Sequence, residues 1–135
     1  MPAGHRRQRP AGWLRTTIAS VLETTGTPLS ACELAKKIKA DHGFVHLSAV
    51  FRALARMLKD GEVDRIELVA GYVRRRPVGT ITLLCRQCGG CIVAPNDELW
   101  RRIEQGASAS GFTPNRYVLE ALGHCAECRR IQQAP

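Results

Sequence analysis

Long hydrophobic runs and the sequence signatures of catalysis are both missing from this 135-residue chain. Its apolar runs span only a few residues, far below the roughly 20 that a transmembrane helix needs, so we predict no membrane span. The start of the sequence is basic and no apolar segment of a secretory signal follows it, which favours a cytoplasmic protein. We find no Ser/His/Asp arrangement, no paired acidic motif and no glycine-rich phosphate loop, so we expect no enzyme.

Acidic side chains are also few. The chain has 12 Asp and Glu and 20 Lys and Arg, which gives a net charge of +8. Residues 1–76 hold 14 basic and 7 acidic side chains, a net of +7, whereas residues 77–135 hold 6 and 5, a net of +1. The hydrophobic fraction of 44% indicates a folded protein. Two halves with different functions are predicted, each small enough to need a metal ion or a partner subunit.

The basic half has the element order of a winged helix-turn-helix domain. Residues 1–10 are predicted to be a mobile basic arm. Three helices follow, and then two strands of a basic hairpin, so that the domain covers residues 11–76. The predicted helices run from Trp13 to about Thr25, from the capping box of Ser30 and Glu33 to about Ala40, and from Ser48 to Asp60, and the strands are Glu62–Leu68 and Tyr72–Arg76.

The remaining sequence predicts a small α/β domain, which makes the whole fold α+β. Residues 77–79 contain Pro and Gly and are predicted to be a hinge. The domain then covers residues 80–135 in the order strand, strand, helix, strand. The predicted elements are Thr80–Leu84, Cys91–Ala94, a helix from Pro95 to about Ser108, and a strand that includes Phe112 and Tyr117–Leu122.

Four of the six cysteines form two Cys-x-x-Cys pairs, Cys85 with Cys88 and Cys125 with Cys128. Two-residue spacing lets one turn direct both thiolates to one ion, and four thiolates enclose Zn²⁺ as a closed, structural site. A redox-active dithiol is the alternative, as in thioredoxin-like folds. We favour one structural zinc ion per chain, because the two pairs form a matched set.

The third predicted helix carries two stripes. One is predicted to face inward and consists of Phe51, Leu54, Leu58 and Val50 or Met57. The other recurs at steps of four, four and three on the opposite side and consists of Ser48, Arg52, Arg56 and Lys59. Such charges often form only a solvated surface. A third helix before a basic hairpin favours instead a recognition helix in the major groove, with the hairpin and Arg15 near the phosphates.

With these features in place, the sequence resembles the ferric uptake regulator family over about residues 11–130. The resemblance is carried by five segments: Gly12-Trp13-Leu14-Arg15-Thr16, Pro28-Leu29-Ser30-Ala31-Cys32-Glu33-Leu34, Ala49-Val50-Phe51-Arg52-Ala53-Leu54, Leu84-Cys85-Arg86-Gln87-Cys88-Gly89 and Leu122-Gly123-His124-Cys125-Ala126-Glu127-Cys128. It implies a bacterial homodimer that represses genes, with the winged helix on a pseudo-palindromic DNA duplex and the second half as a dimerisation domain around the zinc. It also implies that Arg52 reads DNA, that the ring of Phe51 packs on a thymine methyl, and that Arg15 enters the minor groove.

Histidine is scarce, and this separates the chain from the family. The sensing sites of the family are rich in histidine, but their positions here hold Thr80, Thr82, Val93 and Tyr117. A sensor needs three or more side chains converging on one ion, so we expect the usual regulatory metal site to be absent or rebuilt. A rebuilt site would draw on Cys91, His124 and the carboxylates of Asp97, Glu98 and Glu120, although Cys91 is explained more simply as a buried strand residue. Cys32 is predicted to pack beside its helix.

A second hypothesis is a zinc-stabilised interaction module. Such a protein would form a hetero-dimer with an intact homologue and modulate it, and it would bind DNA weakly by itself. The identity of a second regulatory metal, and the choice between repressor and activator, stay open at this point.

Overall fold

A computed structural model describes residues 9–133, so the predicted arm at residues 1–10 lies almost entirely outside the described residues. The fold is α+β, as predicted, with a winged helix followed by a smaller α/β unit. The elements are α1 (Trp13–Thr24), α2 (Ala31–His42), α3 (Leu47–Lys59), β1 (Val63–Ile66), β2 (Gly71–Arg74), β3 (Thr80–Cys85), β4 (Cys91–Pro95), α4 (Asp97–Ala109), β5 (Glu120–Gly123) and α5 (Ala126–Gln133).

Helices α1 to α3 pack around the hydrophobic core of the described chain, which draws its buried residues from positions 18–63. The predicted cap of α2 forms, since the Ser30 hydroxyl accepts a hydrogen bond from the Glu33 backbone N–H at 3.1 Å. Helix α2 ends before Gly43, whose φ of 87° lies in the left-handed region. These signals turn the chain from α2 into α3, which the core then holds in place.

The inward stripe of α3 is narrower than predicted. Val50, Leu54 and Met57 are each fully buried, whereas Phe51 and Leu58 are 49% and 37% exposed. Positions 50, 54 and 57 follow one another at steps of four and three along one line of the helix, and positions 51 and 58 lie about 100° to its side. The inward prediction is therefore wrong for Phe51 and Leu58, and both side chains join the outer surface.

Strands β1 and β2 form the antiparallel wing, with Val63 opposite Arg74 and Ile66 opposite Gly71. They are shorter than predicted because residues 67–70 form the turn. Tyr72 also exchanges both backbone hydrogen bonds with Leu29, at 3.1 and 2.7 Å. The wing is thereby attached to the segment that precedes α2.

Gly71 is the tightest point of this attachment. A Cβ added there would lie 2.7 Å from the Cβ of Pro28 and 3.3 Å from its carbonyl carbon. Because the Leu29–Tyr72 pairing fixes both segments, we expect Gly71→Ala to lower the free energy of unfolding by about 1–3 kcal/mol, measured by urea denaturation. Gly26→Ala is the control, since its Cβ would meet no atom within 4 Å. Equal effects of the two variants would contradict the steric explanation.

The second sheet has the strand order β4-β3-β5. Strand β3 pairs antiparallel with β4, where Leu84 faces Cys91, and parallel with β5, where Cys85 faces Gly123. Helix α4 connects β4 to the segment before β5, and the Asn96 side chain caps it by accepting from the Leu99 N–H at 3.0 Å. This topology brings both Cys-x-x-Cys pairs to the same end of the sheet, where β3 and β5 finish.

One prediction in this half is wrong, and one helix was missed. Only Glu120–Gly123 forms the last strand, whereas Phe112 is 64% exposed and Tyr117 lies in an irregular segment with its ring 4.6 Å from that of Trp100. Helix α5 was not predicted, because its polar sequence buries only Cys128 and shows no apolar face. A thiol anchors this helix, and periodicity carries no signal for such an anchor.

The second half has little hydrophobic core among the described residues. Its buried residues are Thr82, Leu84, Cys85 and Cys128, and α4 buries none. Backbone pairing and the cysteines are therefore the main features that hold it together. No helix in the described part of the chain is long and apolar enough to cross a membrane.

Candidate metal centre and nucleic-acid interface

The four predicted ligands meet at one point. Cys85 ends β3, Cys88 follows it in a turn, Cys125 precedes α5 and Cys128 lies in the first turn of α5. Their sulfur atoms all lie within 4.8 Å of one another, and Cys85 and Cys128 are buried. The parallel pairing of β3 with β5 causes this convergence, because it places the two pairs side by side.

The spacing and surroundings of the sulfurs fit a structural zinc ion. The Cys88 and Cys125 sulfurs are 3.9 Å apart, and tetrahedral Zn–S bonds of about 2.3 Å place sulfurs about 3.8 Å apart. Backbone N–H groups point at three of the sulfurs: Cys125 N at Cys85 Sγ (3.4 Å), Cys128 N at Cys125 Sγ (3.4 Å) and Gly90 N at Cys88 Sγ (3.3 Å). Such donors stabilise thiolates, the form that binds metal.

The thiols of the cluster differ in how readily they ionise. Hydrogen bonds from the backbone of Cys88 and Cys125 lower the pKa of the Cys85 thiol to about 5. Hydrogen bonding to Cys125, together with burial, raises the pKa of Cys128 to about 12. Zinc binds thiolates, so metal binding releases the protons that the four thiols still carry.

The other predicted metal ligands do not assemble into a second site. Within residues 9–133, the cysteine cluster is the sole group of three or more His, Cys, Asp or Glu ligand atoms close enough to hold an ion. Cys91 is half-buried on β4, and burial raises the pKa of its thiol, whereas His124 is exposed. Cys32 is exposed, so the prediction that it packs beside α2 is wrong.

The predicted recognition surface lies entirely on the outside of α3. All five of its predicted DNA-contacting side chains are exposed: Ser48, Phe51, Arg52, Arg56 and Lys59. Arg52 and Arg56 line a cavity of about 460 Å³ between α3 and the start of α1, together with Arg9 and Arg15. Among residues 9–133 no Asp or Glu lines this cavity, so the exposed guanidinium groups of Arg52 and Arg56 favour an anionic partner.

Arg15 is held by carboxylates at the edge of that cavity. Its guanidinium donates to Glu62, through Nε at 2.7 Å and through Nη2, and to Asp60 at 2.7 Å. These hydrogen bonds raise the pKa of Arg15 and lower that of Glu62. Contact with DNA would require Arg15 to exchange these carboxylates for phosphates, so its place in the interface stays a prediction.

The basic wing is also partly engaged within the molecule. Arg74 pairs with Glu23 at 3.3 Å, and Arg76 points toward the second sheet instead of outward. Arg9, which the sequence assigns to the arm, lies 3.7 Å from the centre of the Trp13 ring and donates to the His42 carbonyl at 2.8 Å. No sequence signal was available for this contact, because Arg9 precedes α1 and helical spacing does not apply to it.

Comparisons with known proteins agree with the fold. The sequence model of the ferric uptake regulator family matches residues 11–122. The zinc uptake regulation protein of Mycobacterium tuberculosis is 30% identical over 118 residues, covering 85% of this chain and 91% of that protein. A zinc uptake regulator complexed with zinc and DNA has a TM-score of 0.80 at 21% identity, covering 90% of this chain and 84% of its own. Holo XcZur has a TM-score of 0.72 at 24% identity, covering 87% and 84%. The chain belongs to the ferric uptake regulator family, whose members are transcriptional regulators and not enzymes.

Proposed function

We propose that this chain is a cytoplasmic, homodimeric repressor that contains one structural zinc ion per protomer and binds a pseudo-palindromic DNA duplex through α3. The observation that carries the proposal is the outer surface of α3, where Arg52 and Arg56 are exposed and border a cavity that no Asp or Glu of residues 9–133 lines. A helix of this kind, third in a winged helix, fits the major groove.

The α3 surface combines the two chemistries that DNA recognition uses. Arg52 and Arg56 can donate bidentate hydrogen bonds to guanine edges or phosphates. The Phe51 ring, 49% exposed, offers an apolar contact for a thymine methyl. Ser48 and Lys59 extend the same face toward the phosphate backbone.

Exposed apolar side chains in the second half support dimerisation. It has few buried residues, and large apolar side chains remain on its surface, including Ile92 (55%), Val118 (49%) and Ile131 (60%). A sheet of three strands with so small a core gains stability from a second copy. Two protomers would then present two α3 helices to the two halves of one operator.

The functions of the relatives suggest which genes this chain regulates. The curated relative is a zinc uptake regulation protein, and one neighbour with the same fold is a zinc uptake regulator bound to zinc and DNA. We propose that this chain likewise controls genes of zinc uptake.

The proposal is tested by selecting duplexes from a random pool with the zinc-loaded protein and measuring affinity by fluorescence anisotropy. We expect a two-fold symmetric consensus, two chains per duplex, and an affinity that falls at least about 10³-fold between 50 and 200 mM salt if six or more phosphates are contacted. Failure to enrich any consensus would overturn the proposal. Weak binding alone that strengthens on adding a homologue would support the hetero-dimer hypothesis in its place.

A further inference from the structure

A buried carboxylate lies at the junction between the winged helix and the zinc-binding half. Glu120, the first residue of β5, has a side chain that is only 2% exposed. Its carboxylate accepts hydrogen bonds from the backbone N–H groups of Glu67 (2.9 Å) and Leu68 (3.0 Å), both in the turn of the wing. A buried charge is stable when it is hydrogen-bonded and also paired with the opposite charge. The junction therefore needs a cation.

Arg76 supplies that cation. Its Nη1 lies 3.7 Å from Oε1 of Glu120, and its Nε lies 3.2 Å from Oδ2 of Asp64 on β1. Its backbone N–H also donates to the Asp64 carboxylate at 2.8 Å, and Nη1 donates to the hydroxyl of Thr82, a residue only 1% exposed on β3. One guanidinium thus connects the wing to two strands of the second sheet.

The same contacts place a guanidinium, and not a metal-ligating side chain, between the carboxylates of Asp64 and Glu120. Thr82 stands where the family resemblance places a histidine, and its hydroxyl accepts a hydrogen bond from Arg76. A divalent cation between Asp64 and Glu120 would meet the positive guanidinium at a few ångströms, where repulsion at low dielectric is strong. The residues present therefore do not fit a second metal, in agreement with the lack of any ligand cluster beyond the four cysteines in residues 9–133.

We infer that Arg76 is a positioning residue that sets the orientation of the winged helix on the zinc-binding half, so that the zinc-loaded protein binds DNA without a regulatory metal. This inference rests on the proposed function. The distance between the two α3 helices of a dimer depends on how each winged helix is held, and it must match the spacing of the two half-sites. The contacts of Arg76 with Glu120 and Thr82 cross the junction and hold that orientation, and its pair with Asp64 fixes the guanidinium on the wing.

The first experiment measures the metal dependence of the native protein. The zinc-loaded full chain is titrated with its selected duplex, first alone and then with added Zn²⁺, Mn²⁺ or, under anaerobic conditions, Fe²⁺. We expect the dissociation constant to change by less than about twofold, since no second site is available to bind the ion differently in the two states. An increase in affinity of about tenfold with any of the three ions would overturn the inference and leave the proposed function intact.

The second experiment removes the guanidinium. Arg76→Met keeps the length of the side chain and removes its charge, and we expect DNA affinity to fall about tenfold, within the range for residues that couple two sites. Because the Arg76 guanidinium is engaged by Asp64, Thr82 and Glu120 instead of a phosphate, the salt dependence of binding should keep its slope. Arg116→Met is the matched control, since Arg116 also joins the two halves, through Glu67 at 2.7 Å, but is 70% exposed. We expect this control to weaken binding by less than about twofold.

The orientation itself is measured without DNA, by small-angle scattering of each zinc-loaded dimer. We expect a larger radius of gyration for Arg76→Met than for the native protein or Arg116→Met, and partial recovery for Arg76→Lys, whose point charge cannot reach both carboxylates. In case Arg76→Met is unstable, Arg76→Met combined with Glu120→Gln removes the unpaired buried charge and should show the same scattering change. An unchanged radius and unchanged DNA affinity in the folded variants would overturn the inference.

Discussion

Removal of zinc is expected to unfold residues 80–133 and to leave the winged helix folded. Metal binding in small zinc domains contributes about 10–16 kcal/mol, which equals or exceeds the stability of a typical domain. The second half has only four buried residues, too few to replace the stability that zinc binding contributes. The core around α1 to α3 contains none of the four cysteines. Hydrogen exchange of the chelated protein should show loss of protection in β3 and α5 and retained protection in α1 to α3.

Single cysteine variants distinguish the effect of losing a zinc ligand from the effect of changing a cysteine side chain elsewhere. Cys88→Ser removes an exposed ligand and should reduce zinc content and reproduce the exchange pattern of the chelated protein. Cys91→Ser, three residues further along and outside the cluster, is the matched control and should retain one zinc ion per chain. Retained protection of β3 in metal-free protein, or zinc loss in Cys91→Ser, would contradict the assignment.

Substitution of the outer arginines of α3 is expected to have the largest effect on DNA binding. Arg52→Ala should weaken binding to the selected duplex by about 1–3 kcal/mol, or roughly 5- to 150-fold, if it contacts a base edge, and relax the preference for one base pair in each half-site. Arg56→Ala should weaken binding to all sequences alike and lower the salt slope by about one per protomer if it contacts a phosphate.

Anisotropy titrations at several salt concentrations distinguish these two outcomes. Arg101→Ala is the control, since Arg101 is an exposed arginine on α4 in the other half, and it should change affinity by less than about twofold. If neither α3 variant alters affinity, α3 is not the recognition helix. The contrast with Arg76 is direct, because a positioning residue changes affinity without changing the salt slope.

The parts of the structure that short-range patterns encode could be predicted from the sequence. The Cys-x-x-Cys spacing predicts the zinc site because two residues between ligands fit one turn around an ion. The Ser30–Glu33 capping box predicts the start of α2, because both partners lie within one helical turn. The outer stripe of α3 is predicted for the same reason.

Contacts between distant residues could not be predicted in this way. Arg76 looks like one of three consecutive arginines of a DNA-facing wing, but its partners Asp64 and Glu120 lie on two other strands. Arg15 lies at the start of α1, yet it pairs with Asp60 and Glu62 beyond α3. Sequence patterns do not show which basic residues find an intramolecular carboxylate, because that depends on tertiary packing.

The separate locations of the core and the zinc site determine the order of events during synthesis. Arg74, the last residue of β2, precedes Cys125 by about 50 residues. Translation at about 5–20 residues per second therefore gives the winged helix about 3–10 s of lead before the second pair of ligands is made. The nascent chain thus passes through a stage in which the winged helix is complete and the metal site cannot yet close.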